Sequence, residues 1–370
     1  MKQKITIIHF LPLELYPPII NLLDYLSTAK PKFNIIVFTT KSNTTLTPYS
    51  NDNIQICRYP PIHPKASNFS KVSRYARFYL SSFLKILSFK PSTILYFETL
   101  SALPALWYKK FKKNVNIFAH YHEIVTLKEL ESERPLNKFI NTIEKKHYRQ
   151  YKWISQTNNM RLSIFAKQYG ISENASNLQT LPNYPPQSWV TKPKIVQDKS
   201  KIIKLLYIGS LSLEGMYLQE VLDQFGSNPK FSIDFYSHQF TKKVKNAILK
   251  HKNCQIKGAI NYQEIPNLKG KYDIGLVMYK DHSINVKYCA PNKLFEYLAL
   301  DLDVWCSDKL ITAENYERLN CYPKVLMLDY ENLASFDVEK AISKRNLKYV
   351  PSPYIAEDVY ENLVNAINGN

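Results

Sequence analysis

Apolar residues along the first half of the chain follow two patterns in turn, one typical of strands and one typical of helices. Short runs rich in β-branched residues, such as KITIIHF and FNIIVFTT, predict buried strands. In IINLLDYL, from Ile19 to Leu26, apolar residues return every three or four positions, which predicts a helix with one buried face. The same patterns predict strands in STILYFE, NVNIFAHYHE and KWISQT, and helices in YARFYLSSFLKILSF, LNKFINTIEKKHYRQY and MRLSIFAKQYG.

The second half repeats this alternation after an interruption. Residues 182–199 carry four prolines and little apolar periodicity, which indicates a linker. Strands are then predicted in KIIKLLYIGSL, FSIDFYS, CQIKG, YDIGLVMY and DVWCS, and a final helix in IAEDVYENLVNAI. Alternating strands and helices predict parallel sheets covered by helices on both faces. The expected organisation is an α/β domain over 1–185, a linker over 186–200, a second α/β domain over 201–352 and a C-terminal helix over 353–370.

Length, composition and cysteine content narrow the class of protein. The chain has 370 residues, of which 45% are hydrophobic and 22% charged, and these values suit a globular protein with two domains. The first apolar run is too short for a secretion signal, and no run approaches the roughly 20 residues that span a bilayer. Five scattered cysteines without a CxxC pair indicate neither a zinc site nor a disulfide framework. A cytoplasmic location is therefore expected.

The positive charge of the chain is concentrated in its first half. Residues 1–185 contain 25 Lys and Arg against 10 Asp and Glu, whereas residues 186–370 contain 24 against 21. Such a strongly basic half suggests an anionic partner, which can be nucleic acid, a lipid surface or a phosphorylated substrate.

Two stretches of this basic half interleave cations with aromatic residues. They are RYARFYL and LWYKKFKK, and their cations form a candidate membrane and acceptor-side patch: Arg74, Arg77, Lys109, Lys110, Lys112 and Lys113. Aromatic rings settle at headgroup depth and cations meet anionic lipids, so a membrane surface is the expected partner. An ordinary solvated basic surface remains an alternative. Nucleic acid suits the charge equally well, but no nucleic-acid-binding motif is present, and no nucleic acid is expected as a partner.

A short helix is predicted in the stretch CAPNKLFEYLALDLDVW, directly after a strand and a loop. Pro291 suits the first helical position, and Asn292, Lys293 and Glu296 fall away from the apolar face. Ligands of open α/β sheets bind at the carboxyl ends of strands, where free amides and a lysine suit a diphosphate. A carboxylate one turn later can accept hydrogen bonds from ribose hydroxyls. The residues alone are equally compatible with a capped core helix that carries ordinary surface polar groups.

The region YDIGLVMYKDHSINVKYCAPNKLFEYLALDLDVWCSD resembles the nucleotide-sugar-binding region of GT-B glycosyltransferases. It is most similar to their large retaining group, the glycosyltransferase family 4-like enzymes, also called glycosyl transferases group 1. The resemblance implies that Glu296 binds the donor ribose, that Lys293 lies near the diphosphate and that Asn292 also belongs to the donor site. LLYIGSL, with Gly209 and Ser210, resembles the strand and glycine turn that open the second domain. The implied fold has two Rossmann-like, doubly wound domains that face each other across a cleft, with a C-terminal helix returning to the first.

The segment AHYHE resembles the strand end of the family's first domain, which faces the sugar. His120, His122 and Glu123 are its polar residues. His122 is expected to contact the donor sugar or its phosphate, and Glu123 to orient His122 or act as a base. Polar residues that are simply satisfied by hydrogen bonds remain an alternative. A zinc site is disfavoured because no third ligand is in view.

Three departures from the family pattern concern the donor site. Tyr288 occupies the position, eight residues before Glu296, of a second glutamate. The glycine turn, GSLSLEG, lacks the Arg and Lys that clasp the diphosphate, so Lys293, Lys287 and helix-end amides are expected to replace them. Asp301-Leu302-Asp303 replaces a Gly-x-Pro turn. A metal site on this Asp pair is disfavoured because Asp is a good turn residue, and neither metal nor cofactor is expected.

The resemblance implies a glycosyltransferase that uses a nucleotide-diphosphate sugar of the UDP or GDP type. Its acceptor would be a glycan or a polyprenyl-diphosphate-linked glycan in the biosynthesis of a surface polysaccharide, such as capsule, O-antigen or exopolysaccharide. The reaction would be metal-independent and retaining, on the inner face of the cytoplasmic membrane. Two alternatives remain: a nucleotide-sugar epimerase of the same fold, and a degenerate protein that binds a nucleotide-sugar without turnover. Tyr288 and the missing Arg and Lys support the second alternative.

Overall fold

The computed structural model describes residues 2–29, 32–42, 46–63, 65–132, 134–190, 202–342 and 347–369. They form two compact units, the first comprising Met1–Pro182 with Glu357–Asn370 and the second Asn183–Ala356. Most of the linker predicted over 186–200 lies outside the described residues. In its described part, Trp189 is buried in a core cluster of the second unit.

The first unit is built on a parallel sheet of seven strands, in the order β3-β2-β1-β4-β5-β6-β7. Its strands read as nearly continuous buried runs, as expected when helices cover both faces of a parallel sheet. The strands are β1 (Lys4–His9), β2 (Asn34–Thr40), β3 (Ile54–Tyr59), β4 (Thr93–Phe97), β5 (Asn116–Tyr121), β6 (Trp153–Gln156) and β7 (Leu178–Thr180). The helices are α1 (Pro17–Thr28), α2 (Asn68–Phe89), α3 (Ala102–Phe111), α4 (Leu127–Ser132), α5 (Pro135–Glu144) and α6 (Asn159–Tyr169).

The second unit has a parallel sheet of six strands, in the order β10-β9-β8-β11-β12-β14, and a separate two-stranded pair of β13 with β15. Trp305 belongs to one core cluster and its neighbours Val304 and Cys306 to another, because successive residues of a strand point to opposite faces. The strands are β8 (Ile203–Ile208), β9 (Phe231–Tyr236), β10 (Cys254–Gly258), β11 (Ile274–Val277), β12 (Asp303–Ser307), β13 (Cys321–Tyr322), β14 (Val325–Leu328) and β15 (Lys348–Tyr349). The helices are α7 (Leu218–Phe225), α8 (Lys242–Leu249), α9 (Ile284–Lys287), α10 (Asn292–Ala299) and α11 (Val338–Ile342).

The last helix, α12 (Ala356–Asn368), packs on the first unit. The Tyr360 hydroxyl donates to the Pro18 carbonyl at 3.0 Å, and the Gln3 side chain donates to the Ile367 carbonyl at 2.9 Å. The two sheets and this helix confirm the prediction of two Rossmann-like, doubly wound units with a C-terminal helix that returns to the first.

One predicted helix is shorter than the pattern indicated. LNKFINTIEKKHYRQY was predicted to be helical throughout, but α5 ends at Glu144 and a short 3-10 turn follows over Tyr148–Gln150. The Glu144 carboxylate is fully buried and accepts hydrogen bonds from the hydroxyls of Tyr96 and Tyr121. The last residue of α5 is thus anchored in the core by these hydrogen bonds, which a buried polar group requires.

Candidate functional site

Helix α10 begins at Asn292, in the segment that follows β11 at the carboxyl end of the second sheet. Pro291 directly precedes the helix in an extended conformation, so the helix begins one residue later than predicted. Pro291, the N-cap residue, makes no side-chain hydrogen bond to the first turn. Leu294, Phe295 and Leu298 are buried in the core and fix the helix against the sheet. The strand order of the sheet reverses beside β11, where open α/β sheets bind ligands.

Lys293 lies against the glycine turn that follows β8. A Cβ atom on Gly209 would come within 2.9 Å of the Lys293 Nζ, and Gly209 has a φ of +129°, which other residues rarely adopt. The Lys293 Nζ donates to the Tyr279 hydroxyl and lies 4.9 Å from the centre of the Tyr279 ring. It also lies 5.3 Å from the centre of the Tyr207 ring. The structure therefore brings Lys293 and Gly209 together.

Tyr207 connects this cluster to Ser210, the next residue of the glycine turn. The Tyr207 hydroxyl donates to the Ser210 carbonyl at 2.6 Å, and Ser210 itself is exposed. Buried Tyr207 thus fixes the backbone of the turn, while Ser210 remains accessible to solvent.

Glu296 follows one helical turn after Asn292 and Lys293. It is 7% exposed, whereas Asn292 and Lys293 are half-buried. Burial raises the pKa of Glu296 to about 7, although the charge of Lys293 acts in the opposite direction. Glu296 therefore titrates closer to neutral pH than an exposed carboxyl group does.

Tyr297 and Gly275 fix α10 at its distance from the sheet. The Ile208 N–H donates to the Tyr297 hydroxyl at 3.0 Å, which ties the helix to the end of β8. A Cβ atom on Gly275 would lie 2.2 Å from the Tyr297 ring, so only glycine fits at this position of β11. Gly275 was not among the predicted residues, although a glycine inside a buried strand is a known sign of close approach by a neighbouring group.

The Asp-Leu-Asp turn after α10 has a structural role. Asp301 adopts a φ of +61° and so takes the left-handed position for which the family pattern uses glycine. Its carboxylate lies 3.0 Å from the Lys269 Nζ and accepts from the Tyr349 hydroxyl at 3.0 Å. Asp303 accepts from the Lys324 N–H at 2.7 Å. Within the residues that the structure describes, no group of three His, Cys, Asp or Glu side chains could hold a metal ion.

Lys287 was expected to supplement Lys293. It is the last residue of α9, and its amine lies 4.0 Å from the Asp281 carboxylate in a partly exposed pair. Lys280 of the same loop pairs with Glu220 at 2.9 Å.

In the first unit, the side chains of His120 and His122 meet at the end of β5. The Nε2 of His120 and the Nδ1 of His122 are hydrogen-bonded at 3.2 Å, and the Nδ1 of His120 is hydrogen-bonded to the Ser155 hydroxyl at 2.8 Å. Burial, together with the neighbouring His122, lowers the pKa of His120 well below its usual value. His120 is therefore neutral and orients the ring of His122.

Glu98 and Arg161 hold the backbone at His122. The His122 N–H donates to the Glu98 carboxylate at 2.7 Å, and Arg161 donates to the His122 carbonyl and, at 3.1 Å, to the Thr157 hydroxyl. Glu98 directly follows β4 and has a φ of +64°. Burial raises its pKa to about 8, and the nearby charge of exposed Glu123 adds to this effect.

The cations of the candidate membrane patch differ in their surroundings. Arg74 donates to the Pro61 carbonyl, and the Lys109 Nζ donates to the carbonyls of Lys113 and Val115 at 2.7 and 2.8 Å. The other four cations of the patch are exposed, namely Arg77, Lys110, Lys112 and Lys113.

Comparisons of sequence and of structure give different results. No family model matches the chain, and no curated protein is similar to it in sequence. Among solved structures, it is similar to the lipopolysaccharide outer core galactosyltransferase WaaB in its apo form, with 12% identity, 99% of each chain covered and a TM-score of 0.64. A glycosyltransferase from Rickettsia africae ESF-5 has 14% identity, with 99% of this chain and 98% of that chain covered and a TM-score of 0.61. The UDP-GlcNAc 2-epimerase from Neisseria meningitidis, bound to UDP-GlcNAc, has 13% identity, 100% of each chain covered and a TM-score of 0.60.

These likenesses define the class of fold. Glycosyltransferases and a UDP-sugar epimerase match over nearly their whole length, and their shared architecture is the GT-B fold. The chain has this fold, as the resemblance in its sequence predicted.

Proposed function

We propose that the protein is a glycosyltransferase that takes a sugar from a nucleotide-diphosphate donor of the UDP or GDP type. The observation that supports this most strongly is the cluster of Lys293, the Gly209 turn and buried Glu296 at the point where the strand order of the second sheet reverses. A capped core helix with only a structural role does not require a lysine amine that lies over two tyrosine rings beside a glycine turn.

Each part of this cluster has a role in the proposed donor site. Lys293, Asn292 and the first N–H groups of α10 bind the diphosphate, since a helix N-terminus attracts anions. The backbone at Gly209 and Ser210 approaches the phosphates where a side chain would obstruct them. Glu296 accepts hydrogen bonds from the ribose hydroxyls. These groups stabilise the leaving diphosphate with fixed dipoles and a cation, so the transfer requires no metal ion.

His122 and Glu123 are the proposed catalytic residues. The ring of His122 is oriented by neutral His120, and its backbone is held by Glu98 and Arg161, as a group that contacts a reacting sugar or phosphate requires. Glu123 orients His122 or acts as the base. The proposed stereochemical outcome is retention of the anomeric configuration.

The proposed acceptor is a glycan, free or linked to polyprenyl diphosphate, in surface polysaccharide assembly. The 25 Lys and Arg against 10 Asp and Glu in residues 1–185 support an anionic lipid surface near the acceptor. The enzyme would then act peripherally on the cytoplasmic face of the membrane.

A transfer assay tests the proposed activity. The purified chain is incubated with UDP-, GDP- and dTDP-sugars, with and without a lipid extract that contains polyprenyl-diphosphate-linked glycans. We expect one donor to release its nucleoside diphosphate at a rate that the extract increases. Release from no donor, combined with clear binding of a nucleotide, would favour the non-catalytic binding protein instead.

An epimerase is the second candidate, because a UDP-GlcNAc 2-epimerase is among the structural neighbours. Incubation with UDP-GlcNAc in the absence of any acceptor distinguishes the two activities. An epimerase converts it to the C2 epimer, whereas a transferase leaves the sugar configuration unchanged. Formation of the epimer would overturn the proposal of a transferase.

We expect the affinity for a nucleotide-sugar to fall as the pH is lowered through 7. Burial raises the pKa of Glu296 to about 7, so the carboxylate proposed to accept the ribose hydroxyls is protonated below that pH. If only the ionised form binds, the apparent Kd rises about tenfold for each pH unit below the pKa. UDP-GlcNAc and GDP-mannose are suitable probes for calorimetric titration, because their diphosphates do not titrate in this range. The Glu296→Gln variant should bind weakly and without this pH dependence, and an equally flat wild-type profile would contradict the role of Glu296.

A further inference from the structure

Helix α2 has a second apolar face besides the one that packs into the first unit. Its buried face contains Phe78, Tyr79 and Ile86. On its other side Phe69 is 85% exposed and Leu84 is 63% exposed, and Val72 and Leu80 are exposed as well. Large apolar side chains that are exposed together on one helix indicate a surface that is covered by a partner.

The exposed apolar surface continues onto the end of α3. Phe111, the last residue of α3, is 68% exposed, and its ring lies 5.7 Å from the ring of Phe83 in α2. Phe83 also contacts Trp107 of α3, so the two helices present one continuous surface. We call this surface the α2–α3 face, and its exposed apolar residues are Phe69, Val72, Leu80, Leu84 and Phe111.

The charge around the α2–α3 face is almost entirely positive. Residues 68–113 contain nine Lys and Arg and one acidic residue, Glu98, whose carboxylate binds the His122 N–H and is not on either helix. The exposed cations of the two helices and of the residues directly after α3 are Arg77, Lys85, Lys110, Lys112 and Lys113. A partner of this face must therefore be apolar and anionic at once.

We propose that the α2–α3 face docks on an anionic lipid bilayer. Its apolar side chains would enter the headgroup boundary and its cations would meet the lipid phosphates, which is the arrangement of an amphipathic helix that lies in the membrane surface. A protein partner fits less well, because lysine is depleted in protein interfaces. Nucleic acid would leave the exposed phenylalanines and leucines without a role. Within the described residues, no helix has both the length and the apolarity to cross a bilayer, so docking at the surface is the form of contact proposed.

This inference deepens the proposed function and rests on it, because a face that holds the enzyme at the bilayer gives it access to a lipid-linked acceptor. It adds that hydrophobic contact, and not charge alone, anchors the protein. Vesicle binding that depends on charge alone would be abolished by high salt. If apolar side chains also insert into the bilayer, part of the binding would persist at high salt.

Vesicle flotation of the whole chain tests the proposal. The vesicles contain phosphatidylcholine with about one third phosphatidylglycerol, or phosphatidylcholine alone. We expect wild-type protein to float with the anionic vesicles, and Phe69→Ser/Leu84→Ser to bind at least about tenfold more weakly. Phe139→Ser is the matched control, because Phe139 is 58% exposed on α5 of the same unit, and it should bind like the wild type.

The cations are tested with a second matched pair of variants. Lys110→Gln/Lys112→Gln should reduce flotation several-fold, whereas Lys145→Gln/Lys146→Gln, which removes two exposed lysines of the same unit, should not. Equal binding by all variants, or no flotation of the wild type, would overturn the proposal. Self-association in solution that Phe69→Ser/Leu84→Ser abolishes would overturn it in favour of a second copy of the chain.

The melting temperature of the same samples is measured with and without UDP or GDP. If a nucleotide raises the melting temperature but vesicles do not bind the protein, only the proposal of a membrane-docking face is wrong. If vesicles bind the protein but no nucleotide stabilises it, the proposal of a glycosyltransferase is wrong.

Discussion

Replacing Lys293 by methionine is expected to weaken nucleotide-sugar binding about 100-fold, the largest effect of any single change in the proposed donor site. Methionine keeps much of the length of the side chain and can still cover the rings of Tyr207 and Tyr279. It removes the amine that lies over them beside the Gly209 turn. In the variant, a phosphate of the donor would lose its charge-assisted hydrogen bond with the half-buried Lys293 amine. Truncation of one partner in such a pair costs about 2–5 kcal/mol.

Lys230→Met is the matched control for Lys293→Met. It removes the same charge from the same unit, but Lys230 is exposed and pairs with exposed Glu339 at 2.9 Å. We expect its affinity to change by no more than about threefold, because exposed ion pairs contribute about 0–1 kcal/mol. Isothermal titration with UDP-GlcNAc and GDP-mannose measures both variants. Equal losses for the two variants would show that overall charge, and not the Lys293 site, holds the diphosphate.

Replacing His122 by alanine is expected to lower the turnover of sugar transfer by about 100-fold or more at saturating donor, since loss of one preorganised hydrogen-bond donor in an active site costs about 10²–10³-fold. His122 is partly exposed, and its ring is oriented by the hydrogen bond that it shares with His120. Because most of the proposed contacts to the nucleotide come from the second unit, most of the nucleotide-induced rise in melting temperature should persist.

His63→Ala serves as the control for His122→Ala, because His63 is an exposed histidine of the first unit. Its turnover should match that of the wild type. Turnover of His122→Ala at the wild-type rate would remove His122 from the mechanism. Loss of the nucleotide-induced melting shift in His122→Ala would show that His122 supports binding instead of the chemical step.

Most strands of the two sheets were predictable, because strands buried on both faces leave a local pattern. DVWCS coincides with β12, and KITIIHF contains β1. Strands β3, β7 and β14 were not predicted. All three lie at edges of their sheets, only the two end residues of β3 are buried, and β7 and β14 have three and four residues. The end of α5 was not predictable, because Glu144 is bound by Tyr96 and Tyr121, which lie 48 and 23 residues away.

The residues of the proposed donor site were predicted through resemblance, whereas their supporting contacts depend on the fold. The sequence predicted roles for Lys293 and Gly209 but gave no sign that the rings of Tyr207 and Tyr279 hold the lysine amine. Glu98 was also missed, because its importance lies in its positive φ and its bond to the His122 N–H. A local pattern carries neither of these features, since both arise when distant segments meet.

A thermal-shift screen of the whole chain against UDP, GDP, CMP, dTDP and ADP, repeated with Glu296→Ala, tests the donor site most directly. A ligand that binds only the folded protein stabilises it by about 2.7 kcal/mol at a concentration of 100 times its Kd. The proposed site predicts that UDP or GDP raises the melting temperature of the wild type and that Glu296→Ala removes most of this rise. Stabilisation by no nucleotide, or an undiminished rise in Glu296→Ala, would contradict the assignment of Lys293 and Glu296 to a nucleotide-sugar site.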